Sequence, residues 1–308
     1  MISVIIPLYN KAASIGQTLR TVLGQTFQDF EVIVVDDGST DGGSDVVRAV
    51  DDARIRLVCQ PNAGVSAARN RGVSEARGEF VAFLDADDLW RPTYLETQFA
   101  LTRKYPDCDV FATNYEFRDA EGRTSPTILR RLPFAGEDGI LTNYFEVASY
   151  SHPPLWTSAV IVRREAVEAI GGFPVGIRSG EDLLTWARLA VKYKIAFNVK
   201  PVAIYNLGSG YEFSNLPPRR QDENDPVGEH LKILYKQNKS ISHFKAYISH
   251  WHKMRASVAV RFGDKLEVIR EVVLSLLYNP LNFKVIPFLI LVFIPYNIRS
   301  LIFQHYHK

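Results

Sequence analysis

The sequence predicts an α/β fold: a mostly parallel central sheet flanked by helices, followed by a C-terminal helical tail. Three observations carry this expectation. Over roughly the first 120 residues, near-continuous apolar runs alternate with helical patterns, as strands covered on both faces do. Beyond about residue 226 the patterns are helical only. The charge also divides there: residues 226–308 carry twelve Lys/Arg against four Asp/Glu, a net of +8, whereas residues 1–225 net −6. At ~150 residues per domain, 308 residues suggest about two units, drawn here as 1–215 and 216–308.

The elements follow in order. Ile2-Ser3-Val4-Ile5-Ile6 is a β-branched run closed by Pro7 and reads as a buried strand. Ser14-x-x-Gln17 has the form of a capping box, opening a helix with Ile15, Leu19, Val22 and Leu23 on one face. Phe30 to Val35 is a second strand, ended by Asp36-Asp37-Gly38-Ser39. Ile55 to Cys59 is a third, followed by Asn62-Ala63-Gly64 and an Ala-rich helix from Val65 to Ala76. Glu79 to Leu84 is a fourth, ended by Asp85-Ala86-Asp87-Asp88. Further strands are expected at Asp109–Phe117, Ser158–Arg163 and Ile195–Tyr205, a helix at Glu181–Tyr193, and loops over 119–150. Gly208 to Asp225, with Pro217-Pro218-Arg219-Arg220, reads as a linker. In the tail, Asp264-x-x-Glu267 opens a helix that stops before Asn279-Pro280.

Composition narrows the class. Hydrophobic residues at 46% and charged residues at 23% exclude a disordered chain, a collagen-like fibre and a polytopic membrane protein. Cys59 and Cys108 are too few for a disulfide framework or a four-cysteine metal site. The first residues run straight into a strand without a basic region or cleavage site, so a cytoplasmic location is expected. A formal charge of +2 gives no reason to expect nucleic acid as a partner.

In a parallel sheet, ligands sit beyond the carboxyl ends of the strands, and here those ends are acidic or Gly-rich. Asp85 and Asp87, at i and i+2, would share one side of a strand, where a hard divalent cation relieves their repulsion. Solvated acids at a strand end are the plainer alternative. Asp36 and Asp37 suit a base edge or ribose hydroxyls, or simply a turn and cap. Arg69, one turn into a helix of small residues, could reach a diphosphate or lie on the surface. Glu181-Asp182 opens a helix, where the dipole lowers a carboxyl pKa; service as a base needs burial to raise it. His152 and Trp156 are candidate acceptor contacts, Trp156 being equally a core aromatic. No G-x-G-x-x-G, P-loop or G-x-S-x-G motif occurs, which argues against a dehydrogenase, a P-loop NTPase and a serine hydrolase.

Taken in order, Ser3–Asn10, Val34–Asp41, Asn62–Asn70, Phe83–Asp88, Gly171-Gly172-Phe173 and Gly180-Glu181-Asp182 resemble the family 2 glycosyltransferases of the GT-A fold over about residues 1–205. The resemblance implies an inverting transferase using a nucleotide-sugar donor and Mg²⁺ or Mn²⁺. By similarity Pro7, Tyr9, Asp36 and Asp37 line the nucleoside pocket, Arg69 holds base or phosphate, and Asp85 faces the ribose. Asp87, with Asp85, binds the metal. Asp182 is the base with Glu181 beside it, and Gly172 and Phe173 shape the acceptor side. The rival readings are a nucleotidyltransferase and a non-catalytic nucleotide-sugar-binding protein.

The tail adds a location. Residues 285–294 are apolar apart from the break at Pro287, too short for the ~20 residues of a span. With Lys232, Lys236, Lys239, Lys245, Lys253 and Arg255 nearby, segment 281–303 is expected to dock on the inner face of the cell membrane. That location suits a lipid-linked saccharide acceptor of surface polysaccharide synthesis. A tail packed on the protein itself or on a homodimer partner is the alternative.

Overall fold

The computed structural model describes residues 1–207 and 220–305, so most of the expected linker, residues 208–219, lies outside the described residues. The first half runs β1 (Ile2–Leu8), α1 (Ala12–Leu23), β2 (Phe30–Asp36), α2 (Gly43–Arg48), β3 (Ile55–Cys59), α3 (Val65–Glu75), β4 (Phe80–Phe83), β5 (Leu89–Trp90), α4 (Tyr94–Lys104) and β6 (Val110–Arg118). Then come β7 (Thr124–Pro126), β8 (Asp138–Ile140), α5 (Tyr144–Tyr150), β9 (Val160–Arg163), α6 (Arg164–Ala169), α7 (Glu181–Lys192) and β10 (Ile195–Asn206). The tail is α8 (Pro226–Gln237), α9 (Phe244–Phe262), α10 (Lys265–Tyr278), α11 (Ile286–Leu291) and α12 (Tyr296–His305).

The strands form one sheet in the order β3-β2-β1-β4-β9-β6-β10-β5, with β7 on β6 and β8 on β10. β1, β2, β3 and β4 are mutually parallel, as are β6 and β10. β9 runs antiparallel between β4 and β6. The sheet is therefore mixed, with a parallel half carrying the acidic strand ends. β1 and β2 are buried at every residue, which is why their apolar runs are unbroken instead of alternating.

One apolar layer covers each face. Ile2, Val4, Ile6 and Leu8 meet α1 on one side, while Ile5, Ile33 and Val35 meet α3, α5 and α7 on the other. The second layer continues without interruption into Val227, Leu231, Phe244, Ile248 and Trp251 of α8 and α9. A smaller core joins α9, α10, Val285 and Val292.

Two local expectations need correction. Ser14 does not cap α1; the helix starts earlier, at Ala12, whose N–H is taken by the Asp41 carboxylate at 2.8 Å. A side chain from the neighbouring loop replaces the local box. Pro287 does not break a helix either; it occupies the first turn of α11, where a missing N–H costs nothing. The Asp264 cap is present and accepts from the Glu267 N–H.

α3 lies unusually close to β1. A Cβ on Gly72 would come within 2.3 Å of Ile5 Cγ2, so the helix rests on the strand through a bare backbone. Gly72→Ala should therefore cost about 1–3 kcal/mol by overpacking, despite the better helix propensity of alanine. Urea unfolding measures this, and a stabilised variant would contradict the packing.

Candidate active site

The parallel half brings four loops to one edge. Tyr9 and Lys11 follow β1, Asp37 follows β2, Asn62-Ala63-Gly64 precede α3, and Asp85 to Asp88 follow β4. Asn10, in a left-handed conformation at φ 51°, locks the first loop to the second: its Oδ1 accepts from Thr40 N–H and its own N–H donates to Ser39 Oγ. Pro7 is buried inside β1, opposite Val35, and Tyr9 is half exposed at the strand's mouth.

The two acids after β2 are committed to loop structure. Asp36 accepts from Ser39 N–H and from the Ser44 hydroxyl. Burial pushes its pKa up, but those hydrogen bonds and Arg48 outweigh it and hold the carboxyl below its usual range. Asp37, 2% exposed, accepts from Gln60 Nε2 and from the Ala63 and Gly64 N–H groups at 2.7–2.9 Å. Its carboxylate therefore ties the second loop to the third.

Arg69 is the centre of the site. It is 3% exposed, donates from Nη2 to Asp85 Oδ1 at 2.9 Å and from Nη1 to Glu181 Oε1 at 3.1 Å, and lies 5.1 Å from the Phe173 ring. Burial alone would lower its pKa, but Asp85 and Glu181 more than restore the charge, and the net shift is upward. Phe173 therefore needs correction. It is 1% exposed and packs against Phe83 and Trp186, so its ring supports Arg69 and cannot face an acceptor. Gly172, in the turn beside it, is placed by Asn70, which bonds both the N–H and C=O of Phe173.

Asp85 and Asp87 lie in a turn beyond β4, not in the strand, so side-chain alternation does not align them. Their side chains are 31% and 39% exposed, and each already holds a cation. Asp85 holds Arg69, and Asp87 Oδ2 holds Lys11 Nζ at 2.5 Å. Asp88 is different. It is 1% exposed, accepts from Ser158 Oγ and Asn206 N–H, and is pushed well above the carboxylate range by burial and by Asp85 and Asp87. Half-exposed hard oxygens at this edge suit Mg²⁺ or Mn²⁺, with Asp87 and Asp85 as the residues able to hold one.

Asp182 keeps part of its surface open, yet the protein around it desolvates its carboxyl. Burial, then Glu181 beside it, push it up to about 7 against the opposing Arg69 charge. An aromatic cluster adjoins the acids. Trp156 lies between Tyr115 and Tyr205, at 4.6 and 4.9 Å between ring centroids, and His152 meets the edge of Phe117 at 5.0 Å. His152 Nδ1 accepts from Ile128 N–H. Trp156, His152, Phe117 and Tyr205 all keep part of their surface open. Lys11, Asn70, Ser158 and Asn206 escaped sequence reasoning; only Lys11, a base directly after the strand-end loop, left a usable signal.

Residues 3–171 match the family model described as Glycosyl transferase family 2. A putative teichuronic acid biosynthesis glycosyltransferase of Bacillus subtilis, TuaG, is 32% identical over 221 residues, 70% of this chain and 82% of TuaG. An uncharacterized glycosyltransferase of Rickettsia bellii is 32% identical over 191 residues, 61% of this chain and 26% of its own length. The chain spans about a quarter to a third of the rickettsial relatives it matches. S. aureus TarS 1–349 in complex with UDP-GlcNAc superposes with a TM-score of 0.67 at 19% identity, covering 98% of this chain and 89% of that one. Mannosyltransferase PcManGT from Pyrobaculum calidifontis, in complex with GDP-Man and Mn²⁺, gives 0.59 at 21% identity, with 100% and 87% covered. At these identities the likeness shows the GT-A fold.

Removing one member of a buried ion network strands the others. Arg69→Met should lower the unfolding free energy by about 3–5 kcal/mol, and Arg69→Lys by less, since an ammonium keeps the charge but not the fork. Denaturant titration of both variants checks this ordering.

Proposed function

The chain belongs to glycosyltransferase family 2, and on that premise we propose that it is an inverting transferase. It moves a sugar from a nucleoside-diphosphate donor to a hydroxyl of a saccharide acceptor. The carrying observation is the single cluster in which Arg69 joins Asp85, on the donor side, to Glu181, next to Asp182. Asp182 is the general base. Its carboxyl, pushed up to about 7, accepts the acceptor proton near neutral pH without being too weak a base. Attack from that side expels the diphosphate from the opposite face of C1, so the anomeric configuration inverts. Asp87 and Asp85 would hold a divalent ion, which supplies charge neutralisation at the leaving diphosphate. Lys11 stands on the same carboxylate and adds a second positive charge at that edge.

Trp156, His152 and Tyr205 are partly exposed rings packed around Tyr115 and Phe117, and they offer apolar faces of the kind that sugar rings cover, which supports a saccharide acceptor. The loop after β1, Pro7-Leu8-Tyr9-Asn10, is neither Gly-rich nor basic enough to cradle a triphosphate, which disfavours the nucleotidyltransferase reading. The intact acids disfavour a merely binding protein.

A membrane-side location is part of the proposal. Among the described residues no helix is long and apolar enough to cross a membrane. However, Leu266, Ile269, Val273 and Leu277 form an exposed stripe on α10, continued by Leu281, Phe283, Ile290 and Phe293. From residue 272 onward there is no acid, while Lys284, Arg299 and Lys308 are basic. An apolar face that lacks acids from residue 272 onward suits an anionic bilayer surface, and such a surface suits a lipid-linked acceptor.

Two experiments test these readings. Asp182→Asn should abolish transfer while leaving nucleotide binding intact, and wild-type kcat should rise about tenfold per pH unit up to a plateau above about 7. The folded value lies above the ordinary 3.8, so wild-type stability falls as pH rises between the two; the Asn variant should gain a Tm advantage growing from about pH 4 to about pH 7. A flat pH profile would remove Asp182 from the role. For the tail, Leu277→Glu with Leu281→Glu should weaken sedimentation with phosphatidylglycerol-containing vesicles by about tenfold or more, since burying one Leu is worth about 1.5–3 kcal/mol. A wild-type protein that ignores vesicles but dimerises in ultracentrifugation would sink the membrane reading.

A further inference from the structure

The acids of α7 lie beyond the residues 3–171 that match the family, and the element that backs them comes from the tail. Three contacts meet the start of α7. Asp222 accepts from the Arg178 N–H at 3.0 Å, Tyr247 donates its hydroxyl to the Leu183 carbonyl at 3.1 Å, and the six-membered ring of Trp251 abuts Gly180. The last contact is the tightest. Gly180 forms the left-handed turn before Glu181, at φ 82°, and a Cβ there would fall 2.4 Å from Trp251 Cη2.

Trp251 is itself held from behind. Its indole N–H donates to Asp225 Oδ1 at 2.9 Å, and the same carboxylate caps α8 by accepting from the Gly228 N–H. Arg255 lies 3.6 Å from Asp225 and bonds Glu271, which bonds His252. Asp225, His252, Arg255 and Glu271 are each at most 2% exposed. The set resembles a metal site, but Arg255 already supplies the cation, so structure is the simpler use. Through Asp225 the network holds the indole N–H of Trp251 as well as the start of α8.

We propose that Trp251, set by Asp225, is a positioning residue for the reaction: it fixes the Gly180 turn and thereby the direction in which Glu181 and Asp182 leave the helix. This rests on the reading of Asp182 as the base. Glu181 is additionally held by Arg69, whereas Asp182 bonds only its own neighbour's N–H, Leu183, among the described residues. The turn therefore governs Asp182 most. Displacement of a reacting group by about an ångström can cost about a hundredfold in rate.

The test compares Trp251→Leu and Trp251→Phe in the full chain. The Leu variant should lose about a hundredfold in kcat with donor KM and nucleotide affinity within about twofold of wild type, and Phe, which keeps a ring against the turn but not the N–H to Asp225, should recover part of the rate. Unchanged kcat, a parallel loss of donor affinity, or a Phe variant no better than Leu would each overturn the proposal. Should Leu fail to fold, Tyr247→Phe removes only one hydroxyl; a several-fold lower kcat at unchanged donor KM supports the role, and an unchanged kcat ends it. Asp182→Asn, assayed alongside, separates the two claims: if it still transfers sugar, the base assignment fails whatever Trp251 does.

Discussion

A guanidinium with 3% of its surface exposed stays charged only if the protein supplies anions to it. Arg69 receives two, from two separate elements: Asp85 follows β4 and Glu181 opens α7. The ring of Phe173 closes a third side. None of these groups can move independently without leaving a charge unpaired in a low-dielectric interior, which is costlier than any single surface contact. The pairing therefore holds the end of β4 and the start of α7 at a fixed separation.

Around that pairing, one residue type takes on several characters. Asp36 and Asp37 spend their oxygens on loop N–H groups and hydroxyls and serve as ties. Asp85 and Asp87 face cations and remain half exposed, the condition for recruiting a metal. Asp88, enclosed and beside two other acids, is driven towards its neutral form and hydrogen-bonds as a fixed part of the wall. Asp182 is partly open but desolvated by the protein around it and opposed by Arg69, and its carboxyl is pushed up to about 7. Environment, not residue type, divides the labour among acids.

The sequence exposed the sheet's parallel half because strands buried on both faces are written as continuous apolar runs, and Ile2–Leu8 and Phe30–Asp36 are such runs. It concealed the antiparallel insertion of β9, since Val160–Arg163 has the same apolar texture whichever way it runs. The acidic strand ends were readable in the same way, as loops after runs. Their partnerships were not. Arg69 and Glu181 are 112 residues apart, and Lys11 and Asp87 are 76 apart; no local pattern encodes such pairs. Phe173 illustrates the resulting error: its place beside the site was legible, but its burial under Arg69 depended on Asn70 pinning its backbone.

The tail was drawn from sequence as a separate unit because its charge and periodicity change. Its packing argues for a closer relation. α8 and α9 share the apolar layer that covers the sheet's α3–α5–α7 face, while α10 to α12 turn an acid-poor, apolar surface outward. One side of this helical layer thus contacts the Gly180 turn and the other is exposed. The two sides are joined through α9, whose Trp251 meets Gly180 and whose Ala256 and Val260 pack on Val268 and Val272 of α10. A layer built that way holds Asp182 at a fixed offset from the outward apolar face of the tail. On the proposed reading of Asp182 as the base and of the tail as a docking face, that offset decides which hydroxyl of an anchored acceptor reaches the carboxylate.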